Sequence, residues 1–224
     1  MLPVFVEPSR AELAPRPPGG SSFVHEIKLN GYRMQARIDA GDVKLLSRKG
    51  LDWTQRFGSV AAALKKLRLP SALLDGEMVV EDASGISSFN DLIGELKAGR
   101  QDRFRYFVFD LLYLDGTDLR GAPLEDRKAA LKGALAPSPE GGMIVYNEHI
   151  EADGKAVLEH ACRLGLEGIV SKRRDAPYRS GRMGQWLKSK CVRRQEFVVV
   201  GYVPSSAGAR TIGSLVLGYY ENGK

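Results

Sequence analysis

The stretch Glu26-Ile27-Lys28-Leu29-Asn30-Gly31-Tyr32-Arg33 carries the sharpest signal in the chain. Residues 23–29 read as a strand, so a lysine sits at its end, followed by a glycine turn and an arginine. Glu26 and Lys28 are two positions apart and share one face of that strand. An inward lysine is costly unless it is paired. Taken alone, the stretch reads more simply as a surface Glu/Lys pair on an edge strand.

The flanking sequence changes that balance. Leu74-Asp75-Gly76-Glu77 puts two carboxylates on a second strand, and Tyr106-Phe107-Val108-Phe109-Asp110-Leu111 puts aromatics inside a third. Glu167-Gly168-Ile169-Val170-Ser171-Lys172 combines an acid and a base on a fourth, and Trp186-Leu187-Lys188-Ser189-Lys190 places two lysines on one face of a fifth. Strands that each deliver charge to one domain do not build a simple core. A shared pocket for a polyphosphate and a metal ion explains them together.

Alternating and helical patterns organise the rest. Met34–Ile38 and Val43–Ser47 flank Asp39-Ala40-Gly41-Asp42 as a hairpin. Strands are predicted over Ala72–Val80, Tyr106–Leu112, Gly168–Lys172 and Trp186–Lys190. Helices are predicted over Arg56–Leu67, Ser88–Lys97 with Ser88 as cap, Leu124–Leu135 and Lys155–Leu164. Residues 8–22 read as an extended lead-in. Without regular βαβ alternation, the class is α+β, with mixed and antiparallel sheets flanked by helices. A boundary is expected near Arg193–Gln195, giving domains at 1–194 and 195–224. Two strands, at 196–204 and 214–220, cannot form a domain alone, so the chain is expected to stop inside its second domain.

The totals bound the function. The chain has 224 residues, 43% hydrophobic and 27% charged, which suits a soluble globular protein, and no apolar run is long enough to span a membrane. No secretory signal is seen. Cys162 and Cys191 are distant in sequence, which suits a reducing cytoplasm and argues against a disulfide scaffold or a zinc site; Cys162 falls on a helix's apolar pattern. His25, His149 and His160 do not cluster in sequence, so no metal role follows. Net charge is +6, and from Lys172 to Arg194 nine basic residues face one acid, Asp175. Such a run fits a phosphate-bearing partner or a solvated basic face. A monomer is the default expectation.

The ordered motifs K-x-N-G-x-R, S-R-x-G, D-G-E, F-D-L, E-G-x-V-x-K and W-x-K-x-K resemble those of the covalent nucleotidyltransferases: DNA ligases, RNA ligases and mRNA capping enzymes. His25-Glu26-Ile27-Lys28, residues 46–54 and residues 185–191 resemble bacterial ATP-dependent ligases of the end-joining type. The resemblance runs from about residue 20 to the end, and the motifs are specific as an ordered set. It implies an ATP-grasp-like adenylation domain, followed by the start of an oligonucleotide-binding (OB) fold.

The resemblance also implies roles. Lys28 would attack the α-phosphate of ATP and become lysyl-AMP, with Lys188 and Lys190 offsetting phosphate charge. Glu77 and Glu167 would hold Mg²⁺, with Mn²⁺ as an alternative. Glu26 would read the adenine amine, Phe109 would stack on the ring, and Ile27 would lie at the nucleotide. Arg33 and Arg48 would contact ribose or a DNA 5′-phosphate, and Lys172 would approach the phosphates. Arg182 is a further phosphate candidate, or a solvated side chain. From pattern alone Phe109 also fits core packing, Trp53 fits packing, and Asp75 and Asp110 fit structural acceptors.

Nicked or broken duplex DNA, the remainder of the OB-fold domain, polymerase or nuclease modules and an end-binding protein are the implied partners, in the cytoplasm at the bacterial nucleoid. Asn30 departs from the family's aspartate, losing a charge while keeping shape. A non-catalytic DNA-end-binding module and an RNA ligase or capping-type enzyme remain alternatives.

Overall fold

In the computed structural model, which describes residues 1–139, 141–191, 197–206, 208 and 211–220, the chain divides into two units, Met1–Cys191 and Val192–Lys224. The first contains β1 (Glu12–Leu13), β2 (Phe23–Ile27), β3 (Tyr32–Asp39), β4 (Asp42–Ser47), α1 (Gly58–Lys65), β5 (Ser71–Val80), α2 (Phe89–Ala98), β6 (Phe104–Leu114), β7 (Thr117–Asp118), α3 (Leu124–Leu135), β8 (Ile144–Tyr146), α4 (Gly154–Arg163), β9 (Gly168–Arg173) and β10 (Trp186–Lys190). This is the expected α+β class. The sequence did not signal the two-residue strands β1 and β7 or the short β8, and the lead-in at residues 8–22 contains β1, which pairs parallel with β10.

A large sheet runs β4-β3-β5-β6-β7, with β8 parallel to β6, and a smaller sheet runs β1-β10-β9-β2. The β3–β4 turn has positive φ at Ala40 (47°) and Gly41 (87°), the twist that a tight two-residue hairpin turn demands. Helices α1, α2 and α3 cover one face of the large sheet, burying Met34, Leu45, Phe57, Leu64, Leu74, Tyr106 and Leu131. The sequence expected one helix over Arg56–Leu67, whereas a short 3₁₀ turn, Thr54–Phe57, precedes α1. Ser88 caps α2 as expected, accepting a hydrogen bond from the Asp91 amide (3.3 Å).

A second apolar cluster joins Leu73, Phe109, Leu112 and Tyr113 of the large sheet to Trp186 of the smaller one and to Tyr178. Strand β6 reaches it through irregular pairing. Against β5 the register jumps past Leu112 and Phe109, and both residues so left out belong to this cluster. A bulge that turns a side chain out of the regular alternation is a common device beside a site. On the far side of the smaller sheet, α4 packs Val157 and Ala161 on Ile169.

Two expectations fail here. Cys162 is exposed at the end of α4, one position off the buried Val157/Ala161 stripe, so it is not core. It forms a disulfide with Cys191, whose amide is anchored to the Glu167 carbonyl (3.0 Å). Their Cα atoms stand 5.3 Å apart because α4 lies beside the β9–β10 pair, a closeness that a 29-residue separation does not reveal.

Described by itself, the second unit is an antiparallel hairpin of β11 (Val198–Pro204) and β12 (Ile212–Gly218). The expected boundary at Arg193–Gln195, and the basic Arg193 and Arg194, lie outside the described residues. Among the described residues no helix is long and apolar enough to cross a membrane.

Candidate active site

Between the two sheets lies a cleft of about 170 Å³, lined by residues that include Glu26, Ile27, Lys28, Arg33, Glu77, Phe109, Lys172 and Lys188. Thus eight of the eleven residues singled out from sequence line one cavity, with Glu167 tied to its Lys28 and Lys190 tied to Glu167. Strand β2 ends at Ile27, two residues short of the expected end. Lys28 therefore leaves the strand just where the chain turns toward β3. Gly31 makes that turn sit tightly against β5: a Cβ there would overlap the carbonyl oxygen of Met78.

At one end the charges surround Lys28. Its Nζ lies 2.5 Å from Glu167 Oε2, and Lys190 Nζ lies 3.2 Å from Glu167 Oε1. Gly168 brings β9 against β10 closely enough for this. Its φ is +145°, and a Cβ would overlap the Ser189 carbonyl oxygen. Burial opposes ionisation of Glu167, but hydrogen bonds from Lys28 and Lys190 hold its pKa below the ordinary carboxylate value. Lys188 is pushed down by burial and by the cations Lys28, Lys190 and Arg182. Burial raises Glu77 to about 7 despite the attraction of Arg33 and Lys28. Lys28 is thus within electrostatic reach of Glu77, Glu167 and Lys188, and is only 20% exposed.

The other end is built on Glu26, which lines the cleft with its side chain 2% exposed. Lys128 Nζ donates to Oε1 (2.7 Å), Asn147 Nδ2 donates to Oε2 (2.9 Å), and Lys172 Nζ lies 2.7 Å from Oε2. Burial alone would raise the Glu26 pKa; Lys172 and Lys128 reverse that and lower it. Lys172 is buried at this end, 4.2 Å from the Phe109 ring centroid and 4.1 Å from that of Trp186. Burial lowers it to about 8, against the pull of Glu26. The placement has a simple cause: Lys172 is the Cα partner of Val24 on β2, so its side chain shares a face with Glu26.

Arg33 is fixed against Asp75 by two hydrogen bonds of 2.7 and 2.6 Å, and Asp75 also accepts from Tyr178 Oη (2.5 Å). Its guanidinium lies 4.5 Å from the Phe109 centroid. Asp75 and Asp110 act as buried acceptors, as expected, Asp110 receiving 2.7 and 2.9 Å bonds from Arg127. Trp53 packs edge-on against Tyr32. Arg48 is exposed on the turn after β4 and is not among the residues that line the cleft, a placement open to a DNA 5′-phosphate. The turn carries it outward because Ser47 and Gly50 close on each other through the Gly50 amide (2.7 Å). Asn30 is also exposed, its backbone amide donating to Ser87 Oγ (3.0 Å).

Sequence reasoning missed Lys128, Asn147 and Trp186. Trp186 stood inside a quoted motif but was not read as a wall of the cleft. Lys128 and Asn147 lie outside every motif; the one available hint was a lysine at a helix position that the apolar pattern makes inward.

A profile of ATP dependent DNA ligase domains matches residues 10–190. The multifunctional non-homologous end joining protein LigD of Pseudomonas aeruginosa is 42% identical over 220 residues, covering 98% of this chain and 26% of that protein. The chain therefore spans about a quarter of this curated relative. Among solved structures, the ligase domain of Mycobacterium tuberculosis LigD superposes with a TM-score of 0.71 at 32% identity, covering 94% of this chain and 67% of that one. A mycobacterial DNA ligase D complexed with ATP and MES gives 0.70 at 31% identity over the same shares.

Proposed function

Because the chain belongs to the ATP-dependent DNA ligase domain family, we propose that its first unit is an adenylation domain whose Lys28 takes AMP from ATP and passes it to the 5′-phosphate of nicked or broken duplex DNA. The observation that carries this is the position of Lys28: a partly buried amine on Glu167, beside Lys188 and Lys190, at one end of a cleft with an aromatic and a carboxylate at the other. Four cations and two acids line the cleft, the excess suited to a polyphosphate.

In this reading the base lies against Phe109 near Glu26 and Ile27, and the phosphates run toward Lys188 and Lys190. Lys28 Nζ, after losing a proton, forms a bond to the α-phosphorus as the bond to pyrophosphate breaks. A 5′-phosphate oxygen of DNA then displaces Lys28 to give DNA-adenylate, and the adjoining 3′-hydroxyl displaces AMP to seal the strand. Lys188 and Lys190 offset the charge that develops on the transferring phosphate. Glu167 keeps the amine at the cleft's end in the resting state. Arg33, locked on Asp75, forms a fixed wall at the ribose.

The carboxylates suit Mg²⁺. Glu77 is ionised only against its surroundings, as its pKa of about 7 records, and a cation beside it would relieve that. Two carboxylates, Glu77 and Glu167, would share the ion with substrate phosphates. The ion would supply charge neutralisation at the phosphates. The second unit would begin an OB-fold domain, and the multifunctional relatives make polymerase or nuclease modules reasonable companions.

Incubation with α-labelled ATP or GTP and Mg²⁺, followed by a denaturing gel, tests the reading. Acid-labile label from ATP that disappears in Lys28→Ala is the expected result. Label from GTP alone points to a capping-type enzyme, and no label from either points to a DNA-binding module.

A further inference from the structure

We propose that Asn147 is a second reader of the nucleotide base beside Glu26, held in place by Lys128, and that together they select a purine carrying an amine, and not a carbonyl, at position 6. The proposal rests on the adenylation reading above and names residues that no motif contains.

Glu26 has little capacity left for a ligand. A carboxylate offers about four acceptor sites, and Lys128, Lys172 and Asn147 already approach its two oxygens at 2.7, 2.7 and 2.9 Å. Asn147 lines the same cleft and is 6% exposed. Its Nδ2 is committed to Glu26 Oε2. The reverse amide orientation would set Oδ1 against a carboxylate oxygen, acceptor on acceptor, so the chemistry fixes which end is which. Among the described residues no donor is recorded for Oδ1, and that oxygen is not among the buried polar atoms lacking a partner, so it remains accessible. The base end of the cleft thus offers one free amide oxygen and the remaining lone pair of a carboxylate.

Lys128 holds this arrangement. Its Nζ donates to Glu26 Oε1 and also to the backbone carbonyl of Asn147 (2.9 Å), joining both readers at one point. It is 2% exposed, and its ring contact is Tyr146, 4.9 Å from the centroid. Buried ionic groups of this kind add little stability compared with apolar residues of the same volume. Their value here is positional: α3 delivers a cation that fixes the carboxylate of β2 and the residue following β8. Two acceptors facing the ligand suit an amine with two hydrogens, and they meet the carbonyl oxygen of guanine or hypoxanthine acceptor to acceptor.

The test compares label formation on Lys28 from ATP, inosine triphosphate and purine riboside triphosphate, which lacks the amine. It uses the full chain, Asn147→Ala, Asn147→Ser, Lys128→Met and Lys128→Arg, with circular dichroism to verify folding. Losing one reader should reduce the preference for ATP over the amine-free analogue about tenfold in Asn147→Ala and Asn147→Ser. The change should appear mainly in the half-saturating nucleotide concentration. Lys128→Met should reduce the preference similarly, and Lys128→Arg should restore part of it. A merely structural role would slow all three nucleotides by one common factor, and that outcome overturns the proposal. So does unchanged discrimination in a folded Asn147 variant while the wild type labels normally. A wild-type chain that takes no label from ATP overturns the adenylation reading as well, so the two failures are distinct.

Discussion

Replacing Glu77 with glutamine should stabilise the protein above neutral pH, a sign opposite to that expected when a well-paired carboxylate is removed. Burial holds the Glu77 carboxyl at about 7, against the pull of Arg33 and Lys28. A carboxyl whose folded pKa is raised above the ordinary 4.5 contributes stability that is fully present below the ordinary value and is lost as pH rises through about 7. The distance between the two values corresponds to roughly 3 kcal/mol. Solvent reaches this partly exposed side chain, which brings the effect to roughly 1–2 kcal/mol. Glutamine keeps the shape and carries no charge to be penalised. Glu77→Gln and wild type should therefore melt together near about pH 4 and diverge above about pH 7, with the variant higher by roughly 2–8 °C for a unit of this size. Differential scanning calorimetry across that range measures it. A variant less stable than wild type in alkali, or a gap that does not change with pH, would refute the reasoning. The same substitution should depress label formation on Lys28, so stability and activity move in opposite directions.

Other substitutions probe different parts of the structure. Arg127→Leu strands the fully buried Asp110 carboxylate and should cost roughly 3–5 kcal/mol in denaturant titrations. Adding Asp110→Leu should recover most of that loss, and a double variant no better than the single one would remove the ion pair as the cause. Cys162→Ser opens a cross-link spanning 29 residues and should cost roughly 3–4 kcal/mol by the chain-entropy relation. Reductant should then bring wild type to the variant's melting temperature and leave the variant unmoved. Asn30→Asp, at an exposed position outside the cleft lining, should leave lysyl-AMP formation unchanged and accelerate AMP transfer to nicked DNA. Single-turnover rates for the two steps, measured with a complete OB-fold domain attached, check this, and equal rates throughout would count against a role for residue 30.

Long apolar and alternating runs made most of the fold readable. Leu124–Leu135 has the observed bounds because it begins and ends where the apolar pattern does, and Trp186–Lys190 has the bounds of its motif. The two-residue strands β1 and β7 could not be read this way: a strand that short has no periodicity, and β1 exists only because β10 offers it a partner. The site was legible in part for a related reason. Lys28, Glu77, Phe109 and Lys188 sit in local motifs whose residue types betray them, and all four line the cleft. The pairing of Lys172 with Glu26 was not legible, because a motif gives a residue type and not the neighbour that will pair with it. Where Arg48 goes is decided by a turn, closed by the Gly50 amide, which no local pattern records. The disulfide and the Glu26–Lys128 pair join residues 29 and 102 positions apart, and nothing local records such proximities.

The two ends of the cleft also differ in how firmly their charges are held, and that difference has a chemical reason. Around Lys28 the partners remain accessible, with Glu167 at 28% and Lys190 at 50% exposure. Around Glu26 both lysines are 2% exposed. In the proposed reaction, proton loss, phosphate entry and AMP transfer require partners to change at the Lys28 end, and an ion pair open to water can exchange at little cost. Choosing a base demands the reverse, because a reader free to rotate would accept either a donor or an acceptor. Helix α3 supplies that rigidity with two consecutive residues, Arg127 bound to Asp110 on β6 and Lys128 bound to Glu26 on β2. One turn of helix thereby ties the large sheet to the small one at the base end, leaving the lysine end as the part of the cleft where charges can rearrange.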